Sequence, residues 1–282
     1  MKSRQLDKLI TEALAIEAQE AKEAGALGYM ARALVQATMP HRKVIENEFS
    51  RKNGAYTLSI LAPSKTGLPY GTIPRLLIAW ITTEALKTKQ RELILGDSLS
   101  QFMEKLGLIP SGGRWGTITR LRDQSKRLFT STISCSYEHK DINAEIGFRV
   151  ADRHMLWWDP RNSEQMDLWQ SSVHLTEGFF NEIIKNPVPI NMAALKALKR
   201  SPMALDIYCW LTYRMSYLKR VTTIPWEALQ AQFGADYDRT RDFKRYFLNQ
   251  LKVVNIIYSE AKLGINSNGL ILKPSRPHIS KK

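Results

Sequence analysis

The chain of 282 residues carries 41 Lys or Arg against 27 Asp or Glu, a formal charge of +14, with 44% hydrophobic and 24% charged residues. That balance excludes a disordered tail and leaves room for two cores of ordinary domain size, while the positive excess asks for a polyanionic partner, nucleic acid before an anionic membrane. Cys135 and Cys209 stand far apart, which argues against a disulfide framework or a zinc site, and no apolar run reaches the length of a membrane span. With no signal-peptide core at its start, the chain is expected to be soluble and cytoplasmic, with no membrane partner.

Residues 1 to about 37 predict helix, broken at Gly25 and Gly28. Leu6, Leu9, Ile10, Ala13 and Leu14 give only a partial apolar stripe, so residues 1–54 read as a helical arm packed on the body or on a partner subunit. A first domain is expected over 55–186. It opens with a strand at Tyr56–Leu61 stopped by Pro63. The Gly/Pro-rich turn Gly67–Pro74 then leads into a helix through Ala85 that is apolar nearly all round, and therefore central. A strand follows at Glu92–Leu95, then a helix capped by Asp97 or Ser98 and ended by Gly107. Ser111–Gly116 introduces a basic helix, Thr117–Phe129. Its packed face is Ile118, Leu121, Ser125, Leu128 and Phe129. Its outer face is Arg120, Asp123, Gln124 and Arg127, flanked by Arg122 and Lys126. Gly112-Gly113 ahead of a helix could cradle phosphate, but without a following Gly-Lys-Ser/Thr a flexible turn is the better account. Thr130–Tyr137 and Ala144–Val150 predict a hairpin.

A second hairpin is expected from Met155–Trp158 and Leu168–Leu175, a short helix at Phe179–Ile184, and a hinge at Pro187–Pro189. The second domain, 187–282, has a core helix at Pro202–Leu218 and a short helix from Ile224 to Gly234, with Pro in its first turn and Gly past its end. Next comes a helix at Thr240–Val253. Phe243, Tyr246, Phe247, Gln250 and Leu251 share one face; Arg241, Lys244, Arg245, Asn249 and Lys252 share the other. Val254–Tyr258 predicts a strand, Lys262–Gly269 a hairpin tip, and Leu270–Leu272 the returning strand.

The order helix, strand, helix, basic helix, hairpin thus occurs twice. Trp80-Ile81-Thr82 and Trp210-Leu211-Thr212 mark the first helix of each set. The expected fold is α+β, mainly helical: two tandem winged-helix domains with an N-terminal helical arm. The charge is clustered to match, with nine Lys or Arg against Asp242 and Glu260 from Thr240 onward, and five against Asp123 between Ser111 and Ser131.

This predicts a duplex DNA reader. Arg241, Lys244, Arg245, Asn249 and Lys252 would enter the major groove, where Arg can pair with guanine and Asn with adenine. Lys262, Asn266, Asn268 and Lys273 would touch backbone or minor groove. Arg114, Arg120, Gln124, Lys126 and Arg127 would hold an adjacent segment. No catalytic residue, metal ligand or cofactor is assigned: the five histidines are scattered, without H-x-H or H-E-x-x-H spacing, and no nucleophile elbow is present. An enzyme is not expected. An ordinary solvated basic surface explains many charged helices and is the competing reading of either one, but the clustering favours nucleic acid; a protein-interaction module would survive removal of both basic faces.

At Leu68–Arg75, Gly112–Ile118 and Arg122–Phe129 the sequence resembles the plasmid-encoded RepA replication proteins, and Ser201–Tyr208 with Trp210–Arg214 is similar to that family's second unit. The resemblance covers about 55–275. It implies a bacterial plasmid replication initiator that binds origin repeats (iterons), promotes origin opening, and recruits host helicase and primase. Wider analogy adds an N-terminal unit that also forms a homodimer. The competing reading is a transcriptional repressor of the same fold. Both would bind specific duplex DNA, but only an initiator would support replication of an otherwise inert origin plasmid.

Overall fold

The computed structural model describes residues 26–139, 142–155, 171–234 and 237–279. In chain order the elements begin β1 (Leu27–Ala31), α1 (Arg32–Gln36), β2 (Glu48–Asn53), β3 (Tyr56–Leu61), α2 (Thr72–Thr88), β4 (Glu92–Ile94), α3 (Leu99–Lys105), α4 (Thr117–Thr130), β5 (Thr132–His139) and β6 (Ile142–Arg149). They continue with β7 (Ala151–Met155), β8 (Ser172–Leu175), α5 (Glu177–Lys185), β9 (Pro187–Asn191), α6 (Met192–Ala197), α7 (Pro202–Met215), β10 (Thr222–Pro225), α8 (Trp226–Phe233), α9 (Thr240–Ile257), β11 (Leu263–Ile265) and β12 (Gly269–Leu272). Two compact units result. The central unit takes Met39–Ser50 and Leu58–Pro187; the C-terminal unit takes Val188 onward with 51–57 and the N-terminal segment through Thr38.

In the central unit α2 has no polar stripe, and every residue from Ile73 to Thr83 is buried. Its Trp80 meets Phe102 of α3 edge-on, with ring centroids 5.0 Å apart. The one cation in that run, Arg75, is 1% exposed. Carbonyls surround it in the core and offset the cost of its burial: it donates to Met39 O (2.7 Å), Pro40 O (3.2 Å) and Gly71 O (2.6 Å). Ser98 caps α3 by accepting the Gln101 N–H. One sheet runs β2–β3–β5–β6 and another β4–β8–β7. β5 and β6 pair antiparallel from Thr132↔Arg149 to His139↔Ile142.

In the C-terminal unit α7 is the core helix. Pro202 occupies its first turn, and Ser201 caps it by accepting the Ala204 N–H. Phe233, Phe243 and Phe247 cluster, with Phe243 and Phe247 centroids 5.4 Å apart. β10–β12–β11 form an antiparallel sheet in which Leu272 faces Thr222 on one side and Leu263 on the other.

The expected mainly helical chain of two tandem winged-helix domains with a helical arm gives way here. Among the described residues 42% are helical and 25% lie in strands, in several antiparallel sheets. The order helix, strand, helix, helix, hairpin does recur, but β10 closes onto the hairpin strand β12, whereas β4 pairs with β8. The two stretches therefore build different sheets. Of the arm, residues 1–25 lie outside the described residues, and Leu27–Ala31 is a strand paired with β9 rather than helix. That pairing makes Pro187–Asn191, which takes in the expected hinge at Pro187–Pro189, a strand at the point where the two units divide. Val254–Ile257, expected as strand, forms the last turn of α9, because Val254 and Ile257 continue the buried spacing of Phe243, Phe247 and Leu251; packing overrides the β preference of Val and Ile. β8 falls within the expected strand Leu168–Leu175, but its partner β7 is Ala151–Met155 rather than the expected Met155–Trp158, of which 156–158 lie, with the rest of 156–170, outside the described residues. Among the described residues no helix is long and apolar enough to cross a membrane.

Candidate nucleic-acid interface

The turn before α9 is built to aim it. Gly234 closes α8, and a Cβ there would run into the Phe243 ring, so no larger residue allows this approach of the two helices. Gln230 spans the turn: its Nε2 donates to Tyr237 O (2.8 Å) and its Oε1 accepts the Thr240 hydroxyl (2.6 Å). Phe243, Phe247, Leu251 and Val254 then fix the buried face of α9, which leaves Arg241, Arg245, Asn249 and Lys252 exposed on the far side. The side chains of Arg241 and Arg245 are 80% and 78% exposed. Their only acidic neighbour among the described residues, Asp242, lies 3.7 Å from Arg241 Nε and 3.5 Å from Arg245 Nη2. Such exposed pairs are worth little and yield readily to a phosphate or a base. Lys244 is placed differently, half-buried with Nζ 4.4 Å from the centre of the Trp226 ring. Tyr246, expected to pack, is 36% exposed, its ring 6.0 Å from that of Tyr237.

The hairpin tip is locked against the start of α8. Asn266 Oδ1 accepts the N–H groups of Asn268 (3.0 Å) and Gly269 (2.8 Å). The Asn268 carbonyl accepts the Trp226 N–H (3.3 Å), and the Asn266 carbonyl accepts Trp226 Nε1–H (3.4 Å). The structure thus gathers Lys244, Asn266 and Asn268 around Trp226. Lys262 and Lys273 are exposed at the open end of the hairpin, just before β11 and just after β12, and are bridged by the bond from Lys273 N–H to Lys262 O (3.0 Å). Ile265, beside the tip, is 55% exposed and was not among the expected contacts.

Along α4 the structure redraws the expected outer face. Arg114, Arg120, Arg122 and Lys126 are exposed. Gln124 is instead 5% exposed, its Oε1 accepting the Tyr70 N–H at 2.8 Å. Arg127 is drawn inward with it: Nε donates to Asp123 Oδ2 (2.8 Å), Nη1 reaches Leu68 O (3.4 Å), and the guanidinium lies 5.6 Å from the Tyr70 ring centre. Gln124 and Arg127 therefore hold the Leu68–Tyr70 segment on the helix rather than face outward. The sequence carried one signal of this, the Gly67 turn with φ of +74°, which brings that segment back over Arg127.

Each unit holds a histidine withdrawn from solvent, half-buried His154 in the central unit and buried His278 in the C-terminal unit. Below α4, His154 lies 5.3 Å from the Phe129 ring, and burial, then Arg149 and Lys126, lower its pKa. Beyond α9, His278 lies 4.9 Å from the Tyr258 ring, and its Nδ1 is 2.7 Å from the Tyr208 hydroxyl. That hydroxyl also accepts the Asn191 N–H (2.9 Å). Burial takes the His278 pKa down to about 4. Among the described residues no group of three His, Cys, Asp or Glu is placed to hold a metal ion.

A family model for plasmid encoded RepA protein matches residues 68–228, a span that holds every motif on which the resemblance above rests. Among solved structures, domains 2 and 3 of RctB in selenomethionine form align with a TM-score of 0.58 at 13% identity, over 86% of this chain and 95% of that one. A second structure of RctB domains 2–3 aligns with a TM-score of 0.54 at 11% identity, over 86% and 96%. At such identities the likeness concerns the fold. No curated protein sequence matches the chain.

Proposed function

This chain belongs to the plasmid-encoded RepA family of replication initiators, and we propose that it acts by binding repeated duplex sites in the origin of its plasmid. The observation that carries this reading is the α9 ridge. Arg241, Arg245, Asn249 and Lys252 project from a helix whose opposite face is pinned by Phe243 and Phe247, so the cations are both positioned and available. A helix of this width fits the major groove, where Arg245 reads guanine and Asn249 adenine. Lys262, Asn266, Asn268 and Lys273 on the hairpin contact the adjacent backbone or minor groove. Arg114, Arg120 and Lys126 of the central unit hold a further segment of the duplex.

Binding several repeats bends and strains A·T-rich DNA, which lowers the cost of opening it for host helicase and primase. These steps require positioning and charge, not bond chemistry by this chain, so the protein is no enzyme in this account. It works as a DNA-bound protein of the bacterial cytoplasm, with a homodimer as its second form.

The test is titration of the full chain onto fluorescent duplexes tiling the origin, against shuffled duplexes, over a range of salt. One repeat should bind at least about a thousandfold tighter than shuffled DNA, and log K should fall steeply with log salt, by about 0.9 for each phosphate neutralised. Equal binding to both duplexes would reject the origin-reading role. Replication of an origin plasmid supplied with the protein separates this reading from a repressor.

A further inference from the structure

Trp115 stands out among the described tryptophans. It is 81% exposed, whereas Trp80, Trp210 and Trp226 are at most 5% exposed. It is also held firmly in that position. The loop 109–116 is tied by its own hydrogen bonds: Ser111 N–H donates to Thr117 Oγ1 (2.9 Å), Thr117 N–H to Ser111 Oγ (3.0 Å), Thr117 Oγ1 to Ile109 O (2.6 Å) and Thr119 Oγ1 to Gly113 O (2.8 Å). Gly113 takes a φ of +84°, and a Cβ on Gly116 would collide with the carbonyls of Ser111 and Gly112. A loop folded this tightly, ending in an indole directed at solvent, has already met most of the ordering cost of a contact.

The surroundings name the kind of contact. Between Glu104 and Asp123 the chain has no acidic residue and carries Lys105, Arg114, Arg120 and Arg122. The Arg114 guanidinium lies 5.2 Å from the indole centre. A large planar apolar group beside the Arg114 guanidinium, in a stretch of chain without acids and one residue before the N-cap of the basic helix α4, is complementary to a stack of bases flanked by phosphates. DNA-deforming proteins press apolar side chains between base steps and unstack them.

From this we infer that Trp115 is a wedge that stacks into an opened base step of the origin, with Arg114 and Arg120 on the flanking phosphates. The inference rests on the origin-binding reading and adds to it the residue that turns binding into local opening.

The experiment places single 2-aminopurines along origin duplexes; their emission rises when the base unstacks. The full chain raises emission at one step within its footprint. Trp115→Ala abolishes that rise and weakens binding about tenfold or less, while Trp115→Phe keeps most of it, since any aromatic face stacks. Because the side chain is exposed, both variants fold. Binding by the wild type without a rise at any step, or an equal rise with Trp115→Ala, overturns the wedge and leaves the origin-binding reading intact. Failure of the wild type to bind any origin duplex overturns both. Loss of plasmid replication in Trp115→Ala with the emission rise unchanged also overturns the wedge, and makes Trp115 a contact for a protein.

Discussion

On α4 the Leu68–Tyr70 segment takes Gln124 and Arg127 out of solvent; on α9 nothing comparable covers Arg241 or Arg245, whose side chains stay 80% and 78% exposed. The two helices start from similar ingredients, an apolar face and a set of cations and amides. What separates them is the neighbouring chain. A backbone N–H that needs an acceptor, that of Tyr70, recruits the nearest amide and draws the adjacent arginine along. The number of cations on a helix is therefore a poor guide to how many can reach DNA.

The largest expected contrast between the two is in pH. Both histidines are held below their ordinary pKa, so in each unit the unfolded chain binds more protons as pH falls, and folded stability falls with it. For His278, which drops from 6.5 to about 4, the contribution is complete above pH 6.5 and is lost on acidification towards 4, by up to about 3 kcal/mol. His154 acts in the same direction. Urea unfolding at pH 7, 5 and 4 should show the C-terminal unit losing stability steeply, and His278→Gln should flatten that loss. An unchanged slope would contradict the buried neutral imidazole.

A smaller effect tests whether α4 is engaged as described. Gln124→Ala leaves the part-buried Tyr70 N–H without its Gln124 acceptor and should destabilise the central unit by about 1–2 kcal/mol in thermal unfolding, with duplex affinity nearly unchanged. Lost affinity with unchanged stability would return Gln124 to the DNA-facing set.

Much of the site could be read from the residues alone. The period of Phe243, Phe247 and Leu251 placed the α9 ridge, a local pattern in which side-chain spacing decides orientation, whereas the expected tip Lys262–Gly269 took in Leu263–Ile265, which is strand β11. Three features could not be read this way. The strand at Pro187–Asn191 exists through a partner, β1, far away in sequence. The last turn of α9 is written in β-favouring residues that only tertiary burial turns helical. Gln124 sits within the polar arc of its helix wheel, and only the fold brings the Tyr70 N–H to it. Trp115 was visible in its motif, but its exposure depends on the hydrogen bonds that tie Ser111 to Thr117.

The central claim is that the exposed α9 ridge reads bases, and Arg245→Ala addresses it most directly. Compared with the wild type on one origin repeat and on a shuffled duplex at the same salt, the variant should lose about 1–3 kcal/mol on the repeat and little on the shuffled DNA. An equal loss on both would make Arg245 a phosphate contact, and no loss on either would make α9 an ordinary solvated helix.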